Sequence, residues 1–527
     1  MRLRFLDVFL ALAGGALLGI GFVAPMFWWT ALFGLAPILL ALSREGLRKR
    51  DAFLLGFLGG FAGYGLSFYT VYWSTLPLTW LGITEAWFAV FAVFLIWFMT
   101  AGGFALAIGL FAMLVRWSRL RSWHALLGIP AAWVLADWLG MWVFSIHTLG
   151  PNAILGANFS MGSFGYLLAD NAALLQGAWL GGIYALNFEV AFFGTLAFLL
   201  WSAKGKRERL SYLAVLLVLV CVWAAVLLFL SSQSSANEKG TALSVAAVST
   251  QVPDVLYPTP EQQRAWFEDE AASVEKIRGT DLVALPEGSG FLEYLYHSPG
   301  SSARNAFANA GMDSPPLVID SVSLREADGK LYSRTEYYDA ATGQSAFAYK
   351  RYLMPFGEQL PYFYRSVSFL MGKWDIIQSI LGSRAFSFKG VTPSVSVRGV
   401  PISALLCSEA MAPTFYRDEV RRGAQVLVNL SSHAWFHGSY PLYIHLLRVD
   451  AVRAAENKRW LVQAGNIVPS FILDPYGRVV AASEWGSTGV LRSVVYARTD
   501  RTPFNILGVW VLVFPIALLA WCIWRRR

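Results

Sequence analysis

Ile402-Ser403-Ala404-Leu405-Leu406-Cys407-Ser408-Glu409 reads as an apolar, β-like run that stops at a cysteine. Two more functional side chains stand at the ends of comparable runs. They are Glu287 in Leu285-Pro286-Glu287 and Lys350 in Tyr349-Lys350-Arg351, which continues into Pro355-Phe356-Gly357-Glu358. Around them, short β-branched runs recur at 242–249, 281–285, 317–324, 332–338, 395–397, 402–406, 426–430, 460–463 and 471–473. Amphipathic helical patterns with Pro at the start cover 260–278 and 441–458. Strands alternating with helices predict an α/β layered domain of some 270 residues, long enough for a core of its own. No internal repeat or low-complexity tract is evident, and 231–240 is a polar linker into the domain.

On both sides of this domain the chain changes character. It is 56% hydrophobic with 22 Trp and 37 Phe, and its mean hydropathy is +0.49, beyond what a soluble globular chain shows. Apolar runs long enough to cross about 30 Å of hydrocarbon as helices fall at 5–24, 27–43, 52–74, 86–115, 124–145, 174–201, 210–230 and 506–524. The sequence therefore predicts a polytopic membrane protein with about eight transmembrane helices. The expected organisation is a membrane domain over 1–230 with seven of them, an α/β domain over 231–503, and a last helix with its tail over 504–527. The first run follows Arg2 and Arg4 but has no clear small-residue cleavage site, so it reads as a retained anchor.

Lys and Arg set the orientation, because positive loops stay on the cytoplasmic side. Arg44, Arg48, Lys49 and Arg50 follow the second run, Arg116, Arg119 and Arg121 the fourth, Lys204, Lys206, Arg207 and Arg209 the sixth, and Arg525 to Arg527 the last. Loops 75–85 and 146–173 carry neither residue. Both termini are thus expected in the cytoplasm and 231–503 outside the membrane. The net charge of +8 has the same origin: residues 1–230 and 504–527 hold 16 Lys+Arg and 8 Asp+Glu (16 − 8 = +8), while 231–503 hold 26 of each. The excess is a topology signal and does not indicate nucleic-acid binding.

Cys221 and Cys522 lie in membrane runs, which leaves Cys407 as the lone external thiol, without a disulfide partner. A free cysteine is often only a small buried hydrophobe. Here its companions suit acyl transfer: a thiol with an ordinary pKa of about 8.5 needs a base, which Glu287 supplies. An ammonium such as Lys350, beside backbone N–H groups, would stabilise the oxyanion formed on attack at a carbonyl, a kind of donor whose loss typically costs about 2.7–4 kcal/mol of barrier. Taken singly, Glu287 also fits a solvated loop residue and Lys350-Arg351 a surface pair. The scattered histidines give no metal site; His433 and His437 lack an acidic or thiol partner nearby. No cofactor is implied.

With these motifs, and with Val428-Asn429-Leu430-Ser431 followed by Ala434-Trp435-Phe436, the whole chain resembles the apolipoprotein N-acyltransferases of bacterial inner membranes. The resemblance implies a nitrilase-like α-β-β-α periplasmic domain, Glu287 as base, Lys350 as oxyanion stabiliser and Cys407 as nucleophile. It implies Glu358 and Glu409 as accessory acids, although each also fits a structural ion pair. The implied reaction is ping-pong transfer of an acyl chain from a phospholipid, with phosphatidylethanolamine the expected donor, through a thioester to the α-amine of a diacylglyceryl lipoprotein. A monomer is expected. Lipid or substrate contacts are expected from Tyr257, Ser408, His433, Trp435 and Trp374, from loop 73–87 and from the aromatic stretch 362–388, which also reads as an ordinary core helix. Ser408, Ser432-His433, Ser249-Thr250-Gln251, Tyr257 and Gly465-Asn466-Ile467 depart from the family pattern, and these departures bear on the acceptor step. An amidase or other hydrolase using the same three residues, and a non-catalytic lipid-binding relative, stay open as alternatives.

Overall fold

The computed structural model describes residues 3–119, 122–233, 240–255, 258–274, 277, 279–297, 316–387, 389–390, 393 and 395–525. Tyr257, Arg2, Arg121, Phe388, Arg526, Arg527 and most of the 231–240 linker lie outside the described residues.

The membrane part consists of helices α1 (Phe5–Val23), α2 (Ala31–Ser43), α3 (Lys49–Ser67), α4 (Tyr69–Trp73), α5 (Ala86–Ser118), α6 (Ser122–His147), α7 (Ala178–Ser202) and α8 (Lys206–Ser232). Among the described residues seven helical segments are long and apolar enough to cross a bilayer, namely those of α1, α2, α5, α6, α7 and α8 and a C-terminal segment from Pro503 to Arg525. The expected span at 52–74 differs: it is the glycine-rich α3 followed by the short α4, and its glycines serve packing. A Cβ at Gly15 or Gly19 of α1 would overlap the carbonyl oxygen of Gly59 or Gly63 of α3, so the absent side chains let these two helices touch. One polar cluster ties the bundle internally. Asp137 of α6 accepts hydrogen bonds from Tyr64 Oη at 2.6 Å, Ser163 Oγ at 2.7 Å and Asn187 Nδ2 at 2.7 Å, which satisfies a carboxylate that would otherwise be costly in the apolar interior.

The α/β part contains two six-stranded sheets. The first has strand order β12-β1-β2-β3-β4-β5 and the second β11-β10-β9-β8-β7-β6. The strands are β1 (Ala242–Ser249), β2 (Leu282–Ala284), β3 (Leu317–Arg325), β4 (Leu331–Asp339), β5 (Gln344–Tyr349), β6 (Val395–Val397), β7 (Val400–Leu406), β8 (Val426–Ser432), β9 (Trp460–Asn466), β10 (Phe471–Leu473), β11 (Val479–Ala482) and β12 (Gly489–Tyr496). In each sheet three central strands run parallel, β1-β2-β3 and β7-β8-β9. Parallel strands are covered on both faces and so read as nearly continuous apolar runs. Alternate residues of the two sheets, such as Val245, Leu282, Leu406 and Val428, interlock as the inter-sheet core. The opposite face of the first sheet packs on α9 (Pro260–Val274) and α10 (Phe291–His297). The outer face of the second packs on α13 (Phe415–Arg421) and α14 (Tyr440–Asn457), whose far sides join the core of the membrane bundle. This is an α-β-β-α sandwich seated on a helical bundle.

Two helices, α11 (Tyr362–Leu370) and α12 (Trp374–Arg384), replace the single pattern expected at 362–388, because Gly372 takes φ +71 between them. Phe369 and Leu370 at the end of α11 are exposed, unlike a core helix. The chain closes with α15 (Pro503–Leu507) and α16 (Val513–Arg525). His445, on α14, is fully buried with its ring 4.6 Å from that of Phe22, so it packs the two parts together.

Candidate active site

Strand ends deliver the side chains. Cys407 follows β7 and opens a 3₁₀ turn, Cys407–Met411, with φ +40 at the cysteine itself. Left-handed backbone at a non-glycine residue is uncommon and persists only where its surroundings fix it. Glu409 supplies part of that restraint: Oε2 accepts from Leu406 N and Oε1 from Arg351 N, both at 2.9 Å, and the Arg351 guanidinium stands 3.7 Å away. Ser408 Oγ donates to Tyr352 O at 2.8 Å, fastening the turn to the segment that carries Lys350.

Lys350 follows β5 and is buried to 2% exposure between two carboxylates, donating to Glu287 Oε1 at 2.8 Å and Glu358 Oε1 at 2.7 Å. Burial works against its charge, but Glu287 and Glu358 outweigh it and hold the ammonium above its ordinary range. Glu358 is pushed up by burial, opposed by Lys350, and its Oε2 also accepts from Met354 N at 2.7 Å. Glu287 Oε2 makes no hydrogen bond among the described residues. The Cys407 thiol is pushed up to about 12, first by burial and then by the Glu287 charge, while Lys350 and a 3.7 Å contact from Ser431 Oγ act the other way.

Glu287, Lys350, Glu358, Cys407 and Ser408 line one pocket of about 470 Å³, closed by Ser432, Trp435, Phe436 and three methionines, Met161, Met354 and Met411. Met354, Trp435 and Phe436 are shared with a neighbouring apolar cavity of about 520 Å³, which reaches Tyr72 and Trp80 of the membrane part. Leu78, Leu81, Ile96 and Phe356 are shared in turn with a third cavity of about 600 Å³ between α5, α11 and α12. Three adjoining, largely apolar cavities thus lie in a row from the thiol to α5, α11 and α12. Lys373, between α11 and α12, donates to both Glu85 oxygens at 2.5 and 2.6 Å beside it.

The other expected contacts divide. Trp435 forms the pocket wall, 4.7 Å in edge contact with Trp80 from loop 73–87. Trp374 lines none of these three cavities; it is 41% exposed, against Phe369. His433 is fully buried against Phe436 and Tyr443, with neither ring nitrogen hydrogen-bonded among the described residues, and burial lowers it to about 3, so it is neutral. Ser432 accepts from Asn466 Nδ2 at 3.0 Å, which joins two of the departing positions. Ser431 was quoted only as part of a motif, with no role, and the three wall methionines were not singled out. Ser431 had a usable signal, as a polar position at the end of a strand parallel to β7, whereas Met161 lies far away in the chain and had none.

A thiol, an ammonium and a carboxylate at strand ends of an α-β-β-α sandwich define a carbon-nitrogen hydrolase-type domain, here built onto a membrane bundle. Residues 244–502 match the carbon-nitrogen hydrolase family, and residues 14–196 match the apolipoprotein N-acyltransferase N-terminal domain. Similar curated proteins include apolipoprotein N-acyltransferases from Geobacter metallireducens (26% identical, 99% of this chain and 96% of the relative), Pseudomonas aeruginosa (27%, 98% and 96%) and Chromobacterium violaceum (27%, 100% and 96%). Over nearly its whole length the chain is thus similar to the apolipoprotein N-acyltransferases.

Proposed function

We propose that this protein transfers an acyl chain from a phospholipid to the α-amine of a diacylglyceryl-cysteine at the N-terminus of lipoproteins. In this reading 231–503 is the catalytic domain, lying on the periplasmic side of the bacterial inner membrane, with 1–230 and 504–527 as membrane parts and both termini cytoplasmic. The one-sided placement of Lys and Arg supports that orientation. Phosphatidylethanolamine is the donor and a single chain suffices, since the whole site comes from one chain.

The observation that carries the reading is the row of adjoining apolar cavities that leads from the Glu287-Lys350-Cys407 cluster to α5, α11 and α12. Because the thiol is held protonated, Glu287 takes the proton as Sγ attacks the donor ester carbonyl. Lys350, kept cationic by its two carboxylates, faces the oxyanion of the tetrahedral intermediate. The C–O bond breaks, Glu287 returns the proton to the lysophospholipid alkoxide, and the acyl group stays on Cys407 as a thioester. The acceptor amine then attacks the thioester, loses a proton to Glu287 and expels the sulfur, which is reprotonated. The apolar walls take the acyl chain and keep water from competing with the amine. Glu358 holds Lys350 in place and Glu409 holds the turn.

Intact-protein mass spectrometry after incubation with defined phosphatidylethanolamine tests this. A gain of one acyl chain is expected in wild type, absent in Cys407→Ala, and discharged by a diacylglyceryl peptide. Discharge by water alone, with the peptide inert, would make the protein a hydrolase; no adduct at all would make it a non-catalytic relative.

A further inference from the structure

The carboxyl end of the nucleophile turn is gripped by a chain of buried polar groups that the reaction itself does not use. Arg453 of α14 donates Nε to Ala410 O at 2.9 Å, and its two terminal nitrogens donate to Glu456 Oε1 and to Tyr166 Oη. Tyr166 Oη lies 2.5 Å from Ser160 Oγ. Ser160 in turn donates Oγ to Met411 O at 2.6 Å and its backbone N–H to the same oxygen at 3.3 Å. The carbonyls of Ala410 and Met411, the last two residues of the Cys407–Met411 turn, are therefore held by consecutive links of one chain. Ser160, Tyr166, Arg453 and Glu456 are each fully buried.

Ser160 and Tyr166 come from the segment between α6 and α7, so the membrane part of the protein reaches the turn directly. The residue after Ser160, Met161, lines the thiol pocket, as does Met411. Such a network, removed from water, is strong when complete and costly when broken. It acts on a turn whose first residue, at φ +40, stays in place only if its surroundings determine it. Glu409 fixes the amino end of the turn through Leu406 N, and the Arg453-Tyr166-Ser160 chain fixes the carboxyl end.

We propose that Tyr166 and Ser160 of the membrane bundle, linked through Arg453, are positioning residues that align Cys407 for attack. The bundle is then part of the thiol's alignment as well as its anchor and lipid wall. The proposal rests on Cys407 being the nucleophile.

Tyr166→Phe keeps the ring and removes the hydroxyl that couples Arg453 to Ser160. In the full-length, detergent-solubilised protein it is expected to slow acylation of Cys407 by phosphatidylethanolamine about 10- to 100-fold, the effect of losing a hydrogen bond to a charged group. The donor KM is expected to stay unchanged and a cooperative melting transition to be kept, at a lower temperature because the buried network is broken. A merely structural role would lower the melting temperature alone and leave kcat per folded molecule at the wild-type value, and that result overturns the proposal. Iodoacetamide labelling of Cys407, read by peptide mass spectrometry without any donor, separates the two hypotheses. If wild type forms no acyl adduct, the functional reading fails. The alignment claim is then decided by whether Tyr166→Phe changes the labelling rate severalfold, equal rates refuting it. Should Tyr166→Phe not fold, Ser160→Ala is judged by the same two readouts.

Discussion

Cys407 combines a strained backbone with a thiol that burial and the neighbouring Glu287 push up to about 12. Below that value its thiolate fraction grows tenfold per pH unit. Alkylation of Cys407 is therefore expected to keep rising from pH 7 to 10 without levelling off, and a plateau near the ordinary thiol value of about 8.5 would contradict the environment described. In the proposed reaction the same burial gives Glu287 the task of accepting the proton during attack, in place of a standing thiolate. At this scale the sequence was most informative for groups whose chemistry is conspicuous, namely Glu287, Lys350, Cys407, Glu358 and Glu409, because each ends an apolar run or follows a turn motif. His433 was legible as a position departing from the family pattern but not as a wholly enclosed ring, since enclosure depends on Phe436 and Tyr443. Met161 was not read at all and Ser431 only as part of a motif: a thioether or a hydroxyl takes on a role only by what stands next to it.

Elements set the pocket's shape through close approaches. In Pro355-Phe356-Gly357-Glu358, Phe356 takes φ +74, and a Cβ at Gly357 would lie 2.9 Å from the Trp435 ring. Gly357→Ala must therefore displace Trp435, the wall common to the thiol pocket and the apolar cavity. The expected outcome is a donor KM raised severalfold with Glu358 still bonded to Lys350, so that kcat falls less than KM rises; steady-state kinetics with a defined phospholipid would show it. Central strands were readable from sequence because both faces are buried. Strands β5, β11 and β12 were not, for they run at sheet edges, where half-exposed stretches such as Gln344–Tyr349 carry little apolar pattern. The division of 362–388 into α11 and α12 turned on one glycine conformation that helical periodicity does not reveal.

Taken whole, the molecule works because the sandwich and the bundle share one core. Arg448 of α14 is nearly fully buried at their junction, donating Nε to Asp170 Oδ1 and NH1 to Gly21 O, both at 2.8 Å, and NH2 to Pro25 O at 3.2 Å. Arg448→Ala would leave two carbonyls and the solvent-reachable Asp170 without this partner, a loss of about 1.5–3 kcal/mol, the scale of hydrogen bonds to a charged group. A lowered melting temperature in detergent, with faster proteolysis between the two parts, is the expected result; an unchanged melting curve would show that the apolar contacts suffice alone. The sequence by itself determined that the chain has helices apolar and long enough to cross a membrane, that an α/β domain interrupts them, and which three side chains to propose for the chemistry. Those properties follow from local composition, run length and charge placement, all one-dimensional quantities. Only the tertiary structure decided that Ser160 and Tyr166 reach the nucleophile turn, that loop 73–87 and the α11–α12 pair enclose adjoining apolar cavities, and that His433 is sealed. The first two depend on residues hundreds of positions apart, and all three on side chains meeting in a close-packed interior, where a hydrogen bond or a void is fixed by both partners at once.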